Sequence, residues 1–514
     1  MKYLLICFCV FIIQSAYPQW SLDMKRDYCW LGGYEWNVNS PRSMIQFGSG
    51  VIHSVPINTP ISFAFTDASI CDQDGSLLFY TNGMHVVDKT HHEMPNGDSL
   101  GLSYYYNSWN NPYSSGYRLT QGALILPKPG SPDEYFIIHD KLDLDYNYPG
   151  GAIVNELLLS TVNMSLHGGL GDVVLKNFSL IKDTLEWGGI TAVRHGNGRD
   201  WWIIQAETNN NGYYILLLSP NGIINYGSQA IGNTWTHPGI ANAVFSPDGT
   251  KYVRCGDPSG ILPHHLELFD FDRCSGTLSN PVDLSFPDTA YTCSAAISPN
   301  SRYLYFSNAL HVFQYDLQSV NIISSKTIVA TWDGTYDSIF GLSPVTLDFM
   351  QLAPDSKIYI SASASDYYST IEFPDSAGVA CGVLQHSIHL ASLNYLSIPN
   401  FPNYRLFNLP GSVCDSLIYL HTGNPILEIS AEMTVYPNPA IDQVTITYNL
   451  GSNSKTDLQI LNLCSEVIRT HTLAKPNNSF SIDLNGLKPG IYFIKLSTET
   501  CSTICKKIVL QPQK

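Results

Sequence analysis

Ala243-Val-Phe-Ser-Pro-Asp-Gly-Thr-Lys-Tyr-Val253, Ala296-Ile-Ser-Pro-Asn-Ser-Arg-Tyr-Leu-Tyr-Phe306 and Gln351-Leu-Ala-Pro-Asp-Ser-Lys-Ile-Tyr-Ile360 repeat one pattern. Each is an apolar run, a Ser/Ala-Pro-Asp/Asn turn, and a second run of β-formers, which reads as two antiparallel strands joined tightly. Pro247, Pro299 and Pro354 stand 52 and 55 residues apart. About one period upstream, Val193-Arg-His-Gly-Asn-Gly-Arg-Asp-Trp-Trp-Ile203 takes the same part, and weaker copies lie at Cys71–Tyr80 and Pro129–Ile138. A third strand follows in most copies, as at Leu266–Phe271 and His311–Asp316.

A strand-rich unit recurring about every fifty residues, with almost no helical periodicity, predicts the blades of a β-propeller. Six copies are visible and the region has room for seven blades, with six or eight left open. Composition agrees. Of 514 residues 44% are hydrophobic, enough for real cores, and 14% are charged, well below the usual share. Tyrosine, serine, asparagine and glycine fill the difference, as strands and tight turns require. The net charge of −16, without a basic run, excludes a nucleic-acid partner and an anionic lipid surface.

Met1–Gln19 has the three parts of a signal peptide: Lys2, an apolar stretch Tyr3–Ile13, and the small-residue exit Gln14-Ser15-Ala16. No later stretch is long and apolar enough to span a membrane. Ten cysteines follow the signal: seven before the tail and three within it (Cys464, Cys501 and Cys505), so complete pairing inside each part is excluded. In an exported chain disulfides are the default.

A Gly-Asn-Pro turn at 423–425 opens a linker, after which alternation sharpens. Val444, Ile446 and Tyr448, then Phe480, Ile482 and Leu484, then Tyr492, Ile494 and Leu496 each alternate with polar residues. About seven short strands in this tail predict a small immunoglobulin-like β-sandwich. The expected division is signal peptide 1–19, propeller 20–422, linker 423–431 and C-terminal domain 432–514.

The tail motifs Val435-Tyr-Pro-Asn-Pro-Ala440, Ile460-Leu-Asn-Leu463, Leu487-Lys-Pro-Gly-Ile-Tyr-Phe493 and Lys506-Lys-Ile-Val-Leu510 resemble the type A C-terminal sorting domain of the type IX secretion system. On that resemblance Tyr436, Pro437, Asn438, Pro439, Gly490, Tyr492 and Lys507 carry the sorting motif. It implies as partners the translocon and sorting machinery, and a protein secreted or held at the outer-membrane surface. Pro437 and Pro439 deny ladder donors and keep the entry extended, while Gly490 is expected to permit the turn before Tyr492. Phe63–Gly83, Met94–Gly97, Ile398–Leu406 and Val413–Leu417 resemble the opening and close of a class of Bacteroidetes secreted propellers.

Catalytic constellations are absent as motifs: no phosphate loop, no His-Glu-x-x-His and no nucleophile elbow occurs, and no metal ligands are assigned. Asp72-Gln-Asp74-Gly75 holds a fragment of calcium-loop chemistry, but such a loop needs about six to eight oxygen ligands, so a plain turn outweighs it and no cofactor is expected. The most suggestive stretch is Ser103–Tyr113, where Tyr104, Tyr105, Tyr106, Trp109 and Tyr113 alternate with amides. Stiff amphipathic rings beside adaptable amides suit a glycan or protein ligand; against that stands a loop that folds over the rim and buries its rings. Trp235 and Trp332 are weaker candidates of the same kind. The expectation is an exported binding module rather than an enzyme. A propeller hydrolase or lyase is the alternative, with its groups gathered from different blades.

Overall fold

The computed structural model describes residues 23–415 and 432–511, apart from 35–39, 49, 51, 111–114, 148–150, 236–239, 258–263, 288–291, 338–342, 450–455, 463–466, 474–478 and 499–502. The signal peptide, the 423–431 linker, Tyr113, Cys464 and Cys501 lie outside the described residues.

The protein is all-β: a β-propeller followed by an immunoglobulin-like sandwich. Among the described residues from Cys29 to Asn394, seven sheets of three to five strands succeed one another, with inner strands Cys29–Gly32, Ala68–Cys71, Ala123–Pro127, Thr191–Arg194, Ile240–Phe245, Ser294–Ile297 and Met350–Leu352. All pairs are antiparallel except Trp187–Gly188 beside Ile240–Phe245, and a small pair, Tyr336–Asp337 with Ser343–Pro344, lies before the last sheet. The last sheet ends in Val383–Asn394, which packs on Arg42–Gln46 and Ser54–Ile57 of the first and closes the ring. Ser43 and Ser392 seal that seam with a hydroxyl–hydroxyl contact of 2.7 Å.

Blades stack face to face, so a blade strand must be apolar on both sides. In His265–Asp272 the alternation assigns each residue to a different core. Phe269 and Phe271 join Trp202, Ile204 and Leu217 of the preceding blade, whereas Leu266 and Leu268 join Leu304, Phe306 and Tyr315 of the next. Each such side chain contributes about 1.5–3 kcal/mol on burial.

The Pro-Asp turns share one geometry. Ser246 Oγ accepts from Lys251 N (2.9 Å) and donates to Asp248 Oδ1 (2.5 Å), and Ser298 does the same with Tyr303 N (2.8 Å) and Asn300 Oδ1 (2.7 Å). The residue after the acid or amide turns left-handed in all three copies: Gly249 at φ 74°, Ser301 at 60° and Ser356 at 68°.

The channel is not open. Residues 396–409, which the sequence marked only by resemblance, run along the axis from one face of the ring to the other. Asn400 receives its place from Asp67 O and donates through Nδ2 to Ala123 O and Ile190 O (both 2.9 Å). Tyr404 Oη donates to Ile125 O (2.7 Å), and Leu409 N reaches Gly196 O (2.8 Å) on the far side. Phe401 packs against Trp30 and Tyr404 against Trp201. Cys414 then bonds Cys274, with Cα atoms 5.5 Å apart. Cys29, Cys71, Cys255 and Cys381 are buried.

In the tail, one sheet pairs Glu432–Tyr436, Gln443–Asn449 and Ser479–Asp483; the other pairs Val467–Leu473, Thr456–Leu461, Gly490–Thr498 and Thr503–Leu510. Val444, Ile446, Leu458, Ile460, Ile482, Ile494 and Ile508 fill the space between them.

Candidate functional site

Three regions have the chemistry to meet a partner: the channel, the aromatic insertion and the tail entry.

The axial segment leaves a cavity of about 220 Å³ against the strands Ile240–Phe245, Ser294–Ile297 and Met350–Leu352. Ala243, Ala296, Met350 and Leu352 line it, and Asp27 and Arg405 are its titratable side chains. These two hold each other: Arg405 Nη2 lies 2.5 Å from Asp27 Oδ1 and Nη1 lies 2.9 Å from Oδ2. Burial pushes the Asp27 carboxyl above its usual range, and Arg405 works against the shift. Gln121 exchanges two bonds with the Ala243 backbone, at 2.9 and 2.7 Å. Polar groups in this cavity are therefore engaged with the scaffold.

The aromatic insertion forms a short helix, Tyr104–Trp109, started by Ser103, whose Oγ accepts from Tyr106 N at 3.2 Å. Tyr106 is the root of this element: it is 5% exposed, and its hydroxyl accepts from Ser99 N (3.1 Å) and Asn110 Nδ2 (3.2 Å). Tyr105 donates to Gly151 O (3.2 Å) and packs on Trp109 at 4.7 Å between ring centres. Tyr104 is 52% exposed and meets Tyr105 edge-on at 5.4 Å, and Tyr146 stands 84% exposed beside them. The Arg118 guanidinium covers the Trp109 ring at 5.3 Å. The insertion thus divides: Tyr106 and Tyr117 are buried, while Tyr104, Tyr105 and Trp109 form a ledge reached from solvent.

The other two tryptophans are elsewhere. Trp235 is 2% exposed, with the Arg254 guanidinium 3.8 Å from its ring centre and the His265 ring stacked at 4.9 Å. Buried against these two, Trp235 packs rather than presents a surface. Arg254 pairs with buried Glu186 at 2.5 Å, and nearby Glu267 is raised to about 7, chiefly by burial. Trp332 is half-buried and meets Tyr336 edge-on at 5.3 Å. Asp72 Oδ1 accepts from the backbone of Asp74 and Ser76 (both 2.9 Å), the turn role expected of it.

In the tail, Tyr436 is 52% exposed, and Asn438 Oδ1 accepts from Val509 N at 2.9 Å, which ties the Pro-Asn-Pro segment to the last strand. Tyr492 Oη donates to Lys488 O at 2.8 Å. Lys507 pairs through its backbone with Phe493. The expectation for Gly490 needs correction. It begins its strand without a left-handed backbone, and a Cβ there would meet nothing closer than 3.9 Å. The turn that requires glycine is at Gly486, φ 83°.

Residues 434–511 match the family model of the secretion system C-terminal sorting domain. A tail of this kind marks the chain for export, to the cell surface or the medium. No helix among the described residues is long and apolar enough to cross a membrane. Solved structures similar to this chain include a proposed 6-phosphogluconolactonase from Bacteroides uniformis, at 12% identity and a TM-score of 0.42, covering 72% of this chain and 98% of that one. Another is an auxiliary nutrient binding protein from Bacteroides thetaiotaomicron, at 10% identity and a TM-score of 0.30, covering 66% of this chain and 67% of that one. No curated protein matches the chain in sequence.

Proposed function

We propose that this chain is a seven-bladed propeller, exported by the type IX secretion system, that binds glycan through the ledge of Tyr104, Tyr105 and Trp109. The observation that carries the proposal is the division within the helix: Tyr106 anchors it, Tyr104 is exposed, and Tyr105 and Trp109 are half-buried beside it. Pre-fixed rings lose little freedom on binding, and Asn107, Ser108 and Arg118 supply donors and acceptors around them. A hydrolase or lyase would need several free titratable groups converging in the channel, and the channel cavity offers Asp27 and Arg405 bound to each other.

A glycan array with a parallel pull-down tests this. The wild type should retain a glycan that Tyr104→Ala/Trp109→Ala loses, since each stacked ring contributes about 0.5–1.5 kcal/mol beyond area. Capture of a protein instead, or no capture by the wild type, refutes glycan binding. Export is tested separately: a chain truncated before Val435 should accumulate in the periplasm, and its normal appearance outside the cell refutes the sorting role of the tail.

A further inference from the structure

A second site of different chemistry lies where the entering chain crosses the ends of the inner strands. The turn Asp23–Asp27, the end of Thr191–Arg194 and the Pro127–Pro132 turn enclose a cavity of about 50 Å³. On such a measure one water needs about 10–15 Å³, so there is room for a single small oxyanion group.

Its walls carry more cation than anion. Arg26 and Arg194 are 5% and 3% exposed, and both use the Asp23 carboxylate: Arg26 Nε donates to Oδ1 at 3.0 Å and Arg194 Nη2 to Oδ2. Two buried guanidiniums therefore share one negative charge. The other cations on the wall are balanced in charge, though Arg199 gives Asp200 only Nε and Nη2 and keeps Nη1 to donate. Arg199 is held by Asp200 at 2.7 and 3.0 Å, and Lys128 by Glu134 at 2.6 Å. Neighbouring Arg273 donates to the carbonyls of Arg194 (2.8 Å), His195 (3.3 Å) and Phe407, and the Asp248 carboxylate acts on its charge. Arg194 Nε has no hydrogen-bond partner among the described residues. An unbalanced buried charge costs several kcal/mol, and in a chain of net charge −16 such a local surplus runs against the composition.

We propose that this cavity binds an oxyanion group, with Arg26, Arg194 and Arg199 as its donors. Guanidiniums present paired N–H groups that match carboxylate, sulfate and phosphate oxygens. The bound charge balances the second arginine. The Trp201 ring, 4.0 Å from the Arg194 guanidinium carbon, reports occupancy by its fluorescence. The site stands independently of the aromatic ledge.

Titration calorimetry of the whole chain tests it, with inorganic sulfate as probe, chloride holding ionic strength constant, and acetate and phosphate in parallel. Sulfated and uronic-acid monosaccharides form further arms, which separate a glycan end group from a free ion. Wild type should bind saturably, and Arg199→Gln should bind about tenfold more weakly, the loss of one charge-assisted bond. Asp23→Asn should bind more tightly by a similar factor, because it removes the competing carboxylate. A purely structural cluster would show no such opposite signs. No saturable binding by wild type, equal affinity in Arg199→Gln, or weaker binding in a folded Asp23→Asn each overturns the proposal. If Asp23→Asn fails to fold, the Arg199→Gln comparison decides.

Discussion

Replacing Arg405 by leucine isolates the electrostatic joint between the axial segment and the ring. Asp27 is 3% exposed and spends both carboxylate oxygens on Arg405, at 2.5 and 2.9 Å. Without its partner the carboxylate is a buried, uncompensated charge, which costs about 3–5 kcal/mol. The double variant Asp27→Asn/Arg405→Leu removes the charge too and should cost only about 1–2 kcal/mol, the price of lost hydrogen bonds. Removing the carboxylate charge in the Arg405→Leu background should thus recover about 2–3 kcal/mol, and the Asp27→Asn single variant completes the cycle that yields the coupling. Sign follows from the carboxyl: burial holds Asp27 above its ordinary 3.8, so folding binds a proton more strongly than the unfolded chain does. That contribution is complete below about pH 4 and is lost as pH rises through the folded value, which climbs further once Arg405 is gone. The deficit of Arg405→Leu should therefore shrink on acidifying from pH 7 to pH 5. All nine tryptophans precede residue 333, so intrinsic fluorescence during urea unfolding follows the propeller alone. A loss below about 1 kcal/mol, or a deficit that grows on acidification, refutes the assignment.

Glu267 gives a second pH test: raised to about 7 by burial, it should cost stability as pH rises from about 4.5 to 7, and Glu267→Gln should recover about 2–3 kcal/mol at pH 8 in the same urea assay. Cys274→Ala should lose about 2–4 kcal/mol, measured against the oxidised wild type under non-reducing conditions. Ser103→Ala removes the cap of the aromatic helix; it should lower stability by about 1 kcal/mol and raise amide exchange across Tyr104–Trp109.

The blades were legible because their pattern is local. Ser246, Pro247, Asp248 and Gly249 build a turn from their own hydrogen bonds, and the strands on either side alternate between two cores. Trp235 and Tyr106 were not legible as buried residues, because an aromatic ring suits a surface or a core equally and only its neighbours decide. The axial segment was hidden for a further reason. Pro399, Pro402 and Pro410 break any strand pattern, so 396–409 reads as loop, and the side chains of Asn400 and Tyr404 donate to carbonyls 210 to 279 residues away in sequence. Three prolines among asparagine and aromatic residues just before the tail were the available signal. The anion cavity likewise joins Asp23, Lys128 and Arg194 from separate blades and the entering chain.

The axial segment also decides how the molecule bears force. Force applied from the C-terminal side meets Cys414 before any residue of the axial segment, so the first covalent stop on that line is the Cys274–Cys414 bond. Such tension is handed to the sheet of His265–Asp272 before it reaches Tyr404, Phe401 or Asn400, so the axle is spared a pull that would draw it out.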